Sequence, residues 1–142
     1  MATQISTYET GNAENKIYIS FNLSNVINLF PLRTFVHLEY KLLDDQDLRK
    51  TTITSSKDTT IDIPKTLIGT EPYHKKGTIV IESHIGYDRD DDLNDLLELL
   101  RFKYKIEGGA QGNVTYTSYD KKIIIKSDRG NKVIVLKIID LI

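Results

Sequence analysis

Four oxygen-bearing side chains at alternate positions, Asp88, Asp90, Asp92 and Asn94, open the acidic run Asp88-Arg89-Asp90-Asp91-Asp92-Leu93-Asn94-Asp95. Hard cations such as calcium take several oxygen ligands, and alternate loop positions can supply them. The calcium-loop pattern then breaks twice. Leu93 stands sixth, where the sharp turn needs glycine, and Leu99 stands twelfth, where a bidentate glutamate belongs. The run therefore reads as the acidic opening of a helix, and no metal ligand is assigned in it.

The three histidines, His37, His74 and His84, show no i, i+4 pair on a helix and no carboxylate at zinc-site spacing. His37 and His84 fall on the more polar faces of two expected strands and could meet across a sheet. Both are read as partly exposed strand residues without a metal or catalytic role. Cysteine is absent, which removes disulfides, thiolate metal sites and a thiol nucleophile. No serine sits in a strand-turn-helix glycine setting. Gly108-Gly109-Ala110-Gln111-Gly112 lacks the lysine of a phosphate loop and leads into a strand, whereas phosphate cradles open onto a helix N-terminus. No catalytic, cofactor-binding or metal-binding residue is assigned.

Charge is balanced over the 142 residues, 19 basic against 20 acidic, for a formal net charge of -1. No whole-chain attraction to nucleic acid or an anionic membrane follows. Locally the balance breaks: residues 88–98 carry a net -5, and residues 99–142 a net +5. Arg101, Lys103 and Lys105 alternate and so share one strand face, with Tyr116 and Tyr119 expected nearby. A basic face with aromatics can hold single-stranded nucleic acid by phosphate contact and stacking. Outward lysines also keep an exposed strand from aggregating, and separated charge equally lets one end of a subunit dock on the other end of the next.

The elements that must position these residues are mostly strands. Lys16–Leu23 alternates, with Ile17, Ile19, Phe21 and Leu23 on one face. Phe30-Pro31 marks a bend, since proline excludes the helical region for its predecessor. Further strands are expected over Arg33–Leu42, Thr51–Thr54 and Thr59–Ile63, with Pro64–Lys76 irregular, and then from Gly77 to about Ile85. Leu93, Leu96, Leu97 and Leu100 change the period to that of an amphipathic helix over about residues 90–101, with Asp90, Asp91 and Asp92 expected to cap it. Period two returns at Arg101–Glu107, Val114–Tyr119 and Lys121–Lys126. A glycine-containing turn over Ser127–Asn131 closes a hairpin onto the last strand.

That last strand, Lys132–Ile139, is β-branched, and its lysine-outside alternation gives way to apolar residues on both faces. A strand apolar on both sides must be covered on both sides, by its own domain or by another chain. Met1–Asn15 is polar, lacks a signal-peptide core, and reads as a flexible arm able to order on a partner. No apolar run approaches a transmembrane span.

The expected architecture is mainly β: an antiparallel β-sandwich or closed β-barrel of about eight strands with one helix, residues 16–142 forming a single domain behind the arm 1–15. The expected function is a non-enzymatic subunit or adaptor of a larger protein assembly, for example a phage virion or tail-like machine component. In style it is like the small cysteine-free β-domains of tubes, collars and capsid decorations. A small-barrel single-stranded nucleic-acid binder is the alternative, and a calcium-dependent module a third. No cofactor is expected; partners are proteins or further copies, with no membrane; the expected location is cytoplasmic or virion-packaged.

Overall fold

Alternating rows become strands here because each can bury one side-chain row against a second sheet. The structure is a computed structural model, and it describes residues 6–11, 15–40, 49–69 and 77–142. In chain order these form β1 (Ser6–Tyr8), β2 (Ile17–Ser24), β3 (Phe30–Tyr40), β4 (Arg49–Ser55), β5 (Ile63–Gly69) and β6 (Thr78–Tyr87). Helix α1 (Asp90–Leu99), β7 (Arg101–Glu107), β8 (Val114–Tyr116), β9 (Lys121–Ser127) and β10 (Gly130–Leu141) follow.

The strands make two sheets. The larger has the order β1-β10-β6-β3-β4, with β9 also on β10; the smaller runs β5-β2-β7-β8. The sheets keep separate edges, so the closed-barrel option is not supported and the arrangement is sandwich-like. The chain changes sheet between β1 and β2, at Asn25–Leu29, at Ser56–Asp62, between β5 and β6, through α1, and at Thr117–Asp120.

The core lies between the sheets. Ile79, Ile81 and Ile85 of β6 and Val133, Val135 and Ile139 of β10 face Ile17, Ile19 and Phe21 of β2 and Phe102, Tyr104 and Ile106 of β7. Each such side chain contributes about 1.5–3 kcal/mol by leaving water. Thr34 and Ser83 pair directly across β3 and β6, and their buried hydroxyls bond each other at 3.0 Å, so neither is left unsatisfied.

Helix α1 buries Leu93, Leu97 and Leu100, with Leu96 half-buried, as the spacing predicts. Its start differs from expectation: the N-cap residue is Arg89, extended and without a side-chain capping bond, and Asp90, Asp91 and Asp92 fill the first turn. Acids there favour the positive end of the dipole. The far end is closed by side chains, Asn25 Nδ2 donating to the Leu99 carbonyl at 2.7 Å and Arg101 Nη1 to the Glu98 carbonyl at 3.2 Å.

Three expectations are corrected. Thr59–Ile63 is not a strand: Thr59 has φ +63°, and the segment is a turn tied to β3 by Ser56 N–H to Thr34 O and Thr59 N–H to Leu32 O. β5 instead starts at Ile63 and runs into the stretch read as irregular. Pro64 is tolerated because β5 is an edge strand, where a missing N–H breaks no ladder. Similarly β3 runs through Pro31, with its register shifting between Pro31 and Arg33.

The third correction concerns the arm. Ser6–Tyr8 is a strand, parallel to β10 in register Ser6↔Ile139 to Tyr8↔Leu141, so the larger sheet is mixed. Tyr8 is fully buried; its hydroxyl donates to the Gly112 carbonyl at 2.5 Å and accepts from Gly109 N–H at 2.9 Å. Thr10 N–H bonds the Ile142 carbonyl at 2.8 Å. The partner that orders this part of the arm is the chain's own last strand. Residues 1–5 and 12–14 lie outside the described residues. Among the described residues no helix is long and apolar enough to cross a membrane.

Candidate functional site: an apolar sheet face and an exposed edge strand

β10 shows which way the double-sided strand turns. Val133, Val135, Lys137, Ile139 and Leu141 point inward and are buried, while Lys132, Ile134, Leu136 and Ile138 face outward and are half-buried. The lysine expected outside at 137 is thus inside, 2 % exposed. Its ammonium bonds Ser6 Oγ at 2.9 Å, lies 3.5 Å from Asp120 Oδ2 and 5.2 Å from the Tyr116 ring centroid. Extending the period from Val133 and Val135 places 137 inward, a signal masked by the lysine itself.

Cross-strand pairing assembles the outer face of the larger sheet row by row. Lys121, Leu136, Glu82 and Phe35 form one row, and Ile123, Ile134, His84 and Arg33 the next. Ile138, Val80 and His37 extend the face on the other side. Residues directly paired share a face, so Ile123, Ile134, Leu136, Ile138 and Val80 form one apolar area bounded by charge.

β9 stands apart. All seven of its residues are exposed, and Ile123, Ile124 and Ile125 keep 48 %, 46 % and 38 % of their surface open to solvent. Sequence reasoning placed this strand but missed its exposure. The available signal was three consecutive isoleucines between lysines, which does not alternate and so fits no half-buried strand. Near its end an open groove of about 430 Å³ is lined by Phe30, Gly86, Ile125, Arg129 and Lys132.

Beside the apolar area is a polar cluster that the sequence only half foresaw. His37 and His84 both reach Glu82: His84 Nε2 lies 2.7 Å from Glu82 Oε2, and His37 Nε2 3.9 Å from Oε1. His37 Nδ1 is 3.0 Å from Thr52 Oγ1. Phe35 stacks on His37 at 6.0 Å and meets His84 edge-on at 5.5 Å, with the Arg33 guanidinium 5.3 Å over its ring. His37, expected partly exposed, is buried on this outer face because Phe35, Thr52 and Glu82 crowd it. Burial foremost, with Lys50 second, holds its pKa below the ordinary histidine value; Glu82 and Glu39 oppose them. The Thr52–His37–Glu82 order is that of a nucleophile, base and orienter, but 3.9 Å is too long for the second hydrogen bond, and the grooves named here do not include it. Glu82 was missed although it shares a face with His84 at i+2.

The remaining sequence candidates are scattered. Arg101, Lys103 and Lys105 line the outer face of β7, paired with Ser24, Asn22 and Ser20. Tyr116 pairs with the inward Tyr104, so it lies on the opposite face, its hydroxyl bonded to the Thr7 carbonyl. Tyr119 packs edge-on against buried Phe102 at 5.3 Å. An open groove of about 800 Å³ lies beside Arg101 and Lys103, between them and Glu98 and Tyr119. The basic row therefore lacks the stacking ring that Tyr116 was expected to supply.

Asn94 of the acidic run accepts from Lys122 Nζ at 2.6 Å, and the Asp88 carbonyl accepts from Asn131 Nδ2 at 3.5 Å. The acidic and basic segments, separate along the chain, are neighbours in space, so charge runs do not mark opposite ends of the molecule. Gly108 and Gly109 form a turn against the segments before β2 and after β1, packing against Lys16 and Tyr8. His74 lies outside the described residues. Among the described residues no three His, Asp or Glu side chains converge as metal ligands. Compared with protein-family models, curated proteins and solved structures, the chain finds no match.

Proposed function

We propose that this chain is a non-enzymatic contact domain, a subunit or adaptor of a larger protein assembly, and that it docks through the outer face of its larger sheet. The observation that carries this reading is the unlike treatment of the two outer faces. The smaller sheet turns Ser20, Asn22, Arg101, Lys103 and Lys105 to solvent and confines its outward apolar groups to the Tyr18–Leu67 pair at the β5 edge, with Lys65 over the Tyr18 ring. The larger sheet turns out Ile123, Ile134, Leu136, Ile138 and Val80. Contiguous apolar surface of this kind marks contact with another molecule. A phage virion or related contractile machine is one setting for such a subunit.

The test is molar mass by light scattering on a sizing column, across protein concentration and salt. A defined oligomer or a growing polymer is the expected result, persisting at high salt because apolar burial is not screened. A monomer at every concentration defeats self-assembly through this face. The basic row on β7 supports a second reading, single-stranded nucleic-acid binding. It requires oligonucleotide affinity that falls steeply as salt rises, and no binding at low salt removes it.

A further inference from the structure

The edges of the two sheets are not alike. β1 and β8 are three residues long, β5 carries Pro64 and two register shifts, and β4 starts with Arg49-Lys50 and has a register shift against β3. Short strands, proline, charge and bulges are the devices that keep an edge from pairing with other chains. β9 has seven residues, no proline or glycine, and an unbroken register on β10 from Lys121↔Leu136 to Ser127↔Gly130. Its three central residues are isoleucines exposed on both faces of the strand. Only its ends are charged, by Lys121, Lys122 and Lys126, with Arg129 in the turn beyond.

We propose that β9 is a strand-addition site, and that its occupant is an extended segment of a partner protein, β-branched at the centre and acidic at both ends. Pairing along a free edge satisfies backbone groups of both chains, and side chains at alternate positions set specificity. Ile123 and Ile125 would meet the incoming strand on the outer face and Ile124 on the other. Carboxylates at the ends of that strand would lie against Lys121, Lys122 and Lys126. Lys122 bonds the neutral amide of Asn94, a contact that does not cancel its charge.

A second copy of β9 is the poorer occupant. The antiparallel register that stacks all the isoleucines, centred on Ile124, sets Lys122 against Lys126 twice, and like charges directly opposite destabilise a pair. This inference rests on the reading of the chain as a contact domain but concerns the free backbone edge of β9, which adjoins the apolar face and shares Ile123 with it.

The experiment uses the full chain and two fluorescein-labelled nine-residue peptides, each with Val-Thr-Val-Thr-Val at the centre, one ending in acidic pairs and one in lysine pairs. The acidic peptide should bind saturably at low salt, at least about tenfold more tightly than the lysine peptide. Its binding should shift backbone amide resonances of residues 121–127 ahead of all others. The double variant Lys122→Glu, Lys126→Glu should reverse the preference with an unchanged melting temperature. Should that variant unfold, Lys121→Glu with Lys126→Gln, which leaves the Lys122–Asn94 bond in place, should abolish the preference. Equal affinity for the two peptides, no binding of the acidic one, or amide shifts centred on Arg101–Lys105 would each overturn the proposal. If the peptide fails while light scattering still gives an oligomer, the edge site falls and the contact-domain reading stands. Peptide binding by a chain that is monomeric throughout leaves the edge site standing and removes self-assembly.

Discussion

At the scale of single residues, the structure holds polar groups inside through local partners, with one exception among the described side chains. Where β9 leaves β10 and before β1 joins it, Asp120 fills the gap: its N–H donates to the Leu136 carbonyl and its Oδ2 accepts from Ile138 N–H. The same carboxylate faces the buried Lys137. Tyr104 is the exception; its hydroxyl is buried without a partner, and burial first, then Asp120, raises its pKa beyond the usual tyrosine range. His37 gives a measurable consequence of burial. Its folded pKa lies below the ordinary value of 6.5, so as pH falls the unfolded chain takes up this proton first. The associated stability is present above about pH 6.5 and is lost below it. In His37→Asn, whose amide stands where the ring Nδ1 meets Thr52, the melting temperature should fall less between pH 7.5 and 5 than in the parent protein. His74 and His84 remain in both proteins, so the difference between the two profiles reports His37 together with its coupling to His84 through Glu82. Parallel profiles would show that His37 is not held neutral by the fold.

At the scale of elements, turns decide which alternating runs can pair. Gly108 joins β7 to the loop before β8 with φ +102°, and a Cβ built there overlaps the Lys16 carbonyl just before β2. Backbone cannot swing aside as a flexible side chain can, so Gly108→Ala should cost about 3 kcal/mol or more. Gly112 also has positive φ, +77°, but nothing lies within 4 Å of its added Cβ. Gly112→Ala should cost about 1 kcal/mol, the conformational part alone. Urea denaturation midpoints measure both, and equal costs would mean that the close approach at Lys16 is not what holds this turn. Such approaches are also what sequence patterning could not convey. β2, β6, α1 and β7 were legible because Ile17, Ile79, Leu93 and Phe102 begin rows with a clear period, and the hairpin turn at Gly130 was legible from composition. β5 was not, because Pro64 and Gly69 read as breakers unless the strand is known to lie at an edge. β1 was not, because three residues carry no period, and its parallel pairing to β10 spans nearly the whole chain. The His37–Glu82–His84 cluster was half legible: alternation puts Glu82 and His84 on one face of β6, but the reach of Glu82 to His37 depends on the register of β3 against β6.

At the scale of the whole molecule, the sandwich-like fold turns a face outward on its larger sheet in which apolar and charged side chains adjoin. Val135 and Leu136 are neighbours on β10 with opposite surroundings: Val135 is fully buried against the second sheet, and Leu136 faces outward, half-buried, in a row with Lys121, Glu82 and Phe35. The same substitution at the two positions therefore separates folding from docking. Val135→Lys places an unpaired charge in the core and should unfold the chain or lower its stability by several kcal/mol. Leu136→Lys places its ammonium near Glu82 and in water, so the melting temperature of the dissociated chain should stay within about 5 °C of the parent, a change of roughly 1 kcal/mol. If the outer face is the docking surface, Leu136→Lys should also shift light-scattering mass toward the monomer at concentrations where the parent is associated, because burying that charge in a dry interface is costly. A Leu136→Lys variant with normal stability and an unchanged oligomer would place the contacts between copies away from this face. The basic row of β7 and the free edge of β9 would then be the surfaces to alter next, since Leu136 lies on β10 and belongs to neither strand.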